Sequence, residues 1–351
     1  MVSYVSQSNE RLYPWTSGST GYDVQVDYLI EGILPANSFG VVYGPSGSFK
    51  SFLVMDWAAH IATGKTWSGR NVKKAAVLYV VAEGGIGAPR RIKAWERANL
   101  KGGAAKNFYS IYEPVHIADP RSLNALMSTI KQIEEVENTQ IELVVFDTLA
   151  RCFNGADENS TRDMNFFVSG CDMLKAMMKV SVLIVHHSGK NEANAARGSS
   201  ALRAACDFEF KVVKNPSDDS EGESLTLSCE KMKDDQPIKP AAYTLKPVMV
   251  FTNHEGKNIY SLSVDSDEAR EVPDVDSHPE KSEMSPVQVA LWEIIRSRSA
   301  SGESTVREII RDDFKALGYP VKNFSRSLQR LQNRGVVIEQ HGQLHCMVDK
   351  A

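Results

Sequence analysis

Short apolar runs alternate along the first part of the chain with stretches whose apolar side chains recur at helical spacing. The runs at 39–43, 75–82, 141–147 and 180–185 are apolar at nearly every position, the pattern of strands buried on both faces. Residues 108–117 alternate like a further strand. Helical spacing follows the first run through Phe52, Leu53, Val54 and Trp57. It returns around Ile92, Ala94 and Trp95, over 123–136, and over 165–179, a stretch rich in Met and Phe. Runs alternating with amphipathic helices predict an α/β fold, a mostly parallel sheet flanked by helices. Segments 208–213, 225–230, 243–250 and 259–262 read as later strands that extend the sheet as hairpins, with an acidic loop at 217–223. Residues 27–34 form a lead-in element, and 191–205 a small, polar loop entering a short helix. The polar, turn-rich start has no periodicity, so residues 1–24 are assigned to an N-terminal arm and 25–264 to the core.

The pattern changes after residue 264. Eight acids face two bases over 265–284, with two prolines, the composition of an extended linker. Ser285 and Pro286 then open a helix with Leu291, Ile294 and Ile295 on one face. A second helix begins at Thr305 and ends at Gly318; a third spans 323–334 before Gly335. Two short strands follow, 336–340 and 343–348, around His341 and Gly342. Three helices and a hairpin predict a small C-terminal winged helix-turn-helix over 285–351.

Charge sharpens that division. The chain of 351 residues carries a net −4, so no global excess points to nucleic acid. From Ser285 onward ten Lys/Arg meet seven Asp/Glu, leaving +3, whereas residues 1–264 sit at −1. The third helix of the tail carries Lys322, Arg326, Gln329, Arg330 and Arg334, a local basic face suited to duplex DNA or a replication protein. Five scattered cysteines form no metal-spaced pair, which fits a reducing compartment. The start is not basic then apolar, and no apolar run nears the roughly 18–20 residues a membrane helix needs. A soluble, cytoplasmic protein with no membrane partner is expected.

The chemistry gathers at strand ends. The run at 39–43 leads into Gly44-Pro45-Ser46-Gly47-Ser48-Phe49-Lys50-Ser51 and then a helix, the order a phosphate cradle requires. Loop N–H groups and the helix N-terminus hold phosphate oxygens, the lysine reaches the β- and γ-phosphates, and the serine hydroxyl binds Mg²⁺. Phe49 departs from the pattern, standing where a glycine normally precedes the lysine. Asp147, closing an apolar strand, is placed to hold Mg²⁺ through its water shell. Glu83, ending another strand, is the candidate to orient the attacking water. His186 and His187 end a fourth strand, where a neutral imidazole can sense the γ-phosphate by hydrogen bonding. Ligands in parallel sheets sit beyond the carboxyl ends of the strands, so these groups are expected to converge.

The set GPSGSFKS, Glu83, VVFD, HHSGK and RGSSALRAACD, in that order, resembles the RecA-type ATPases of mobile elements, close to plasmid RepA-like hexameric helicases. The resemblance covers about residues 25–262. It implies a RecA-like core assembled as a hexameric ring, with ATP and Mg²⁺ between subunits. Glu83 would be the catalytic base, His187 the sensor, and Arg91 a group near the phosphates or the subunit interface. Loops around 157–162 and 191–200 would face a channel for single-stranded DNA, with Lys190 and Arg197 touching its backbone. Lys231 and Lys233 match a Lys-x-Arg pair that enters the neighbour's site, with lysine in the second place, which lacks the bidentate fork of arginine. The function implied is an ATP-hydrolysing DNA helicase or translocase for replication of a phage, plasmid or satellite element. A nucleotide-switched DNA-binding regulator or helicase loader, and a recombinase-like ATPase, are the alternatives.

Overall fold

A computed structural model describes residues 15–83, 85–153, 157–158, 160–187, 199–215, 223–271, 286–319 and 321–347, and divides the chain into two units at residues 272/273. In the first unit the lead-in is a small hairpin, β1 (Tyr28–Ile30) and β2 (Leu34–Pro35). Then come β3 (Phe39–Gly44), α1 (Lys50–Thr63), β4 (Ala76–Val81), α2 (Gly87–Asn99), β5 (Phe108–Ile111), α3 (Pro120–Glu137) and β6 (Ile141–Asp147). They are followed by α4 (Thr161–Met178), β7 (Ser181–His187), α5 (Ser199–Ala205), β8 (Phe208–Lys214), β9 (Glu223–Met232), β10 (Ala241–Thr252) and β11 (Asn258–Glu271).

Nine of these strands form one sheet in the order β11-β10-β9-β8-β3-β7-β6-β4-β5. Pairing is parallel from β8 to β5 and antiparallel from β8 out to β11. The α/β expectation of a mostly parallel, helix-flanked sheet is met. Alternate residues of each strand serve opposite faces. Val77, Tyr79 and Val81 of β4 join Leu53, Trp57 and Ile61 of α1 in one core, while Ala76, Leu78 and Val80 join Leu126 of α3 and Phe167 of α4 in the other. Each Val, Leu, Ile or Phe among them contributes about 1.5–3 kcal/mol on full burial. This explains why the inner strands read as unbroken apolar runs.

Helix starts follow local capping. Asp119 accepts from the backbone N–H groups of Arg121 and Ser122 with Pro120 at the first helical position, so α3 begins before its apolar stripe. Ser160 accepts from the N–H of Asp163 and starts α4 ahead of the expected residue 165. Strand β5 is shorter than the expected 108–117, because pairing ends at Ile111 and Pro114 has no N–H to continue a ladder. A boundary also needs correction. Residues 265–271, read as the start of the acidic linker, are the end of β11 and pair with β10 from Thr244 to Ala241. Lys246 forms ion pairs with Asp265 and Glu268 there, which neutralises part of the acidic run.

The second unit contains α6 (Pro286–Ala300), α7 (Arg307–Ala316), α8 (Phe324–Asn333), β12 (Val337–Gln340) and β13 (Gln343–Cys346). The two strands pair antiparallel, and Gln343 also bridges to Val306 ahead of α7. Leu291, Trp292, Ile295, Ile310, Phe314, Phe324, Leu328 and Leu331 close its core. Thr305 bonds Gln343 through both its N–H and hydroxyl (2.6 and 2.8 Å), tying the start of α7 to the hairpin. No helix among the described residues is long and apolar enough to cross a membrane.

Candidate active site

The loop after β3 is shaped by close approach. A Cβ on Gly44 would lie 2.0 Å from the Val212 carbonyl oxygen of the neighbouring β8, so no larger residue fits without parting the strands. Phe49, at the N-terminus of α1, has φ 66° and ψ 17°. The motif's usual glycine belongs to this left-handed conformation, which costs another residue about 1–2 kcal/mol. Ring contacts offset it: Phe52 packs edge-on at 5.9 Å, and the Lys214 ammonium sits 5.1 Å from the Phe49 centroid.

Lys50 is buried, and its Nζ donates to the carbonyls of Gly44 (2.9 Å) and Pro45 (2.7 Å). Burial pulls its pKa down to about 8, against the attraction of Asp147. Ser51 Oγ donates to Asp147 Oδ1 at 3.0 Å, and Tyr79 Oη donates to Asp147 Oδ2 at 2.8 Å. Burial raises the Asp147 pKa, while the two hydroxyls and the charges of Arg91 and His187 act the other way. Next in the chain, Thr148 donates from Oγ1 to Glu83 Oε2 at 3.3 Å. The Asp147–Thr148 peptide is cis.

The histidines are neutral near pH 7. His186 is held at about 4 by burial, with His187 and Lys50 adding repulsion. His187 is also lowered, by burial and then Lys50, against Glu83 and Asp147. Its buried Nδ1 has no hydrogen-bond partner among the described residues. An uncharged imidazole on the cleft wall suits recognition of a phosphate oxygen by hydrogen bonding. Arg91 stacks its guanidinium over Phe52, 4.6 Å from the centroid.

A cleft of about 340 Å³ is lined by Ser46, Gly47, Ser48, Phe49, Lys50, Ser51, Phe52, Glu83, Arg91, Asp147, Thr148 and His187, whereas His186, expected beside them, does not line it. The strand order accounts for the convergence. β7 lies between β3 and β6, and β4 is next, so His187, Asp147 and Glu83 follow one another beside the loop. Ser51 and Asp147 present hard oxygens to each other, with no group of three or more His, Cys, Asp or Glu among the described residues able to hold a metal alone. That donor set fits Mg²⁺, which takes one or two protein oxygens and completes its shell with phosphate and water.

Other expected residues lie elsewhere. Lys231 donates to the carbonyls of Arg203 and Ala204 (3.0 and 3.3 Å), and Lys233 lies 3.6 Å from Asp207. Asp207 accepts from the N–H of Phe39, at the end of β3 opposite Gly44. At 3.3 Å per residue that is about 17 Å from the loop. Lys190 and Arg197 fall outside the described residues. Lys322, Arg326 and Arg330 are exposed on the second unit, the last two on α8 and Lys322 in the turn before it. Sequence reasoning missed Tyr79, Thr148, Phe52 and Lys214. Tyr79 had a signal, as the only side chain with a polar tip in β4.

Fold and site together define a P-loop ATPase domain. The profile of the AAA domain family matches residues 7–193, more than half of the chain, and the chain belongs to that family. No curated protein matches significantly. Among solved structures, the RadB recombinase is similar at 15% identity and TM-score 0.42, over 60% of this chain and 88% of that one. The ATPase domain of G40P is similar at 11% identity and TM-score 0.44, over 64% of this chain and 84% of that one.

Proposed function

We propose that this chain is an ATP-hydrolysing DNA helicase or translocase serving replication of a phage, plasmid or satellite element, cytoplasmic and working as a hexameric ring. The observation that carries the reading is the shared cleft of Lys50, Ser51, Asp147, Glu83, Arg91 and His187. Lys50 exchanges the loop carbonyls for β- and γ-phosphate oxygens. Glu83, oriented by Thr148, accepts the proton of a water whose oxygen attacks the γ-phosphorus as the bond to the ADP oxygen breaks. His187, on the cleft wall, serves the terminal phosphate as a neutral hydrogen-bonding group. Ser51 and Asp147 would hold Mg²⁺, which supplies charge neutralisation at the phosphates when bound.

That neither Lys231 nor Lys233 lines the cleft of its own chain supports their action in a neighbouring copy, and hence a homo-oligomer with ATP between subunits. The exposed Lys322, Arg326 and Arg330 support a winged helix over 285–351 that binds duplex DNA or a replication protein. Single-stranded DNA would pass through the ring. A second reading, a nucleotide-switched DNA-binding regulator or loader, is favoured by the lysine at 233, which cannot clamp a phosphate bidentately.

ATP-dependent strand separation on a forked DNA decides between them. Unwinding supports the helicase. Hydrolysis stimulated by single-stranded DNA without unwinding supports a translocase. Neither effect, with specific duplex binding by the full chain, favours the regulator.

A further inference from the structure

Behind the cleft, α1 and α2 meet through two matched rows. Phe52, Asp56 and His60 stand one turn apart on α1, and Arg91 and Trp95 one turn apart on α2. The Arg91 guanidinium covers Phe52 at 4.6 Å. One turn further, Trp95 Nε1 donates to Asp56 Oδ1 at 2.8 Å, and the Trp95 ring meets His60 edge-on at 5.2 Å. Trp67, in the turn after α1, donates to Asp56 Oδ2 at 2.7 Å. Asp56, His60 and Trp95 are each 2% exposed. A carboxylate with one indole N–H on each oxygen has no freedom to rotate. Helix α2 therefore cannot turn on α1 without breaking a charge-assisted hydrogen bond in a dry site.

We propose that the Asp56–Trp95 contact is a positioning device that aims Arg91 across Phe52 at the phosphates bound beside Lys50. The inference rests on the reading that the cleft takes ATP and adds that Arg91 serves the cleft of its own chain. Arg91 lines that cleft and its charge acts on Asp147, so a small rotation of α2 moves the guanidinium relative to both. A displacement of this kind weakens a phosphate contact without removing the residue that makes it.

A double-mutant cycle tests it in the full chain. Arg91→Ala, Trp95→Phe and the double variant are compared for kcat, KM and affinity for a fluorescent ATP analogue. Arg91→Ala is expected to raise KM about tenfold, the loss of one charge-assisted phosphate contact. Trp95→Phe, which keeps an aromatic ring at the site but removes the indole N–H, is expected to raise KM about threefold and to add nothing in the Arg91→Ala background. Additive effects overturn the proposal, since a merely structural tryptophan acts independently of Arg91. Unchanged KM and affinity in Arg91→Ala also overturn it, while continued hydrolysis leaves the ATPase reading standing. A wild type that binds no ATP overturns both. Should Trp95→Phe fail to fold, Asp56→Asn enters the same cycle with the same expected outcomes.

Discussion

Asp56 and Asp147 are both shielded from water in the same unit, and their partners differ in kind. Asp56 takes the indole N–H groups of Trp67 and Trp95, donors fixed in rigid rings, and His60 Nε2 lies 3.4 Å away. Asp147 takes the hydroxyls of Ser51 and Tyr79, which rotate about a single bond and can accept as well as donate. The first acid is locked in place. The second can exchange a partner for the water shell of a cation, and burial holds its pKa up until it does. On the proposed function, donor type separates the acid that builds from the acid that works.

The sharpest way to break this comparison is to delete each acid. Asp147→Ala should slow ATP hydrolysis by roughly 10²–10³-fold, the range for loss of a preorganised electrostatic partner, while the protein still melts cooperatively. Asp56→Ala should instead cost stability, about 3 kcal/mol, because two indole N–H groups lose their buried acceptor and His60 loses its ion-pair partner. Denaturant unfolding and steady-state kinetics on both variants would show whether the roles are this distinct. The reverse pattern would erase the distinction.

A smaller effect should follow from Tyr79→Phe. The Tyr79 hydroxyl lowers the Asp147 pKa, so its removal raises it further. Asp147 must be ionised to serve a cation, so the acid limb of the kcat–pH profile should move to higher pH. An unshifted limb would show that the hydroxyl is not coupled to Asp147.

The histidines extend the contrast to pH. Burial alone would lower the His60 pKa, but Asp56 and the carbonyls of Lys65 and Thr66 leave it raised above 6.5. Its stabilisation is then fully present below pH 6.5 and is lost as pH rises through the raised value. His186 has the opposite sign. Neutral in the fold down to about pH 4, it makes the protein less stable as pH falls below 6.5. Thermal melting across pH should show the His60→Gln deficit largest on the acid side, shrinking as pH rises.

Much of this was legible in the sequence because phosphate chemistry restricts residue types. Lys50, Ser51, Glu83, Asp147 and His187 were readable as strand-end groups and do share a cleft. The strand order was not readable, since nothing local specifies that β7 enters between β3 and β6. The acids of 265–271 resembled a linker because a polar edge strand needs no apolar alternation. The knot at Asp56 was invisible because Trp95 lies 39 positions away and each residue alone is ordinary. Phe49 was readable as an exception, but its left-handed backbone, the reason a glycine is usual there, emerges only in three dimensions.

The most direct test of the account is ATP turnover by wild type and Glu83→Gln, with nucleotide affinity measured alongside. The account predicts an unchanged affinity and hydrolysis slowed on the order of 100-fold or more, the loss of a positioned general base. Turnover equal to wild type would contradict it and place the base elsewhere in the cleft.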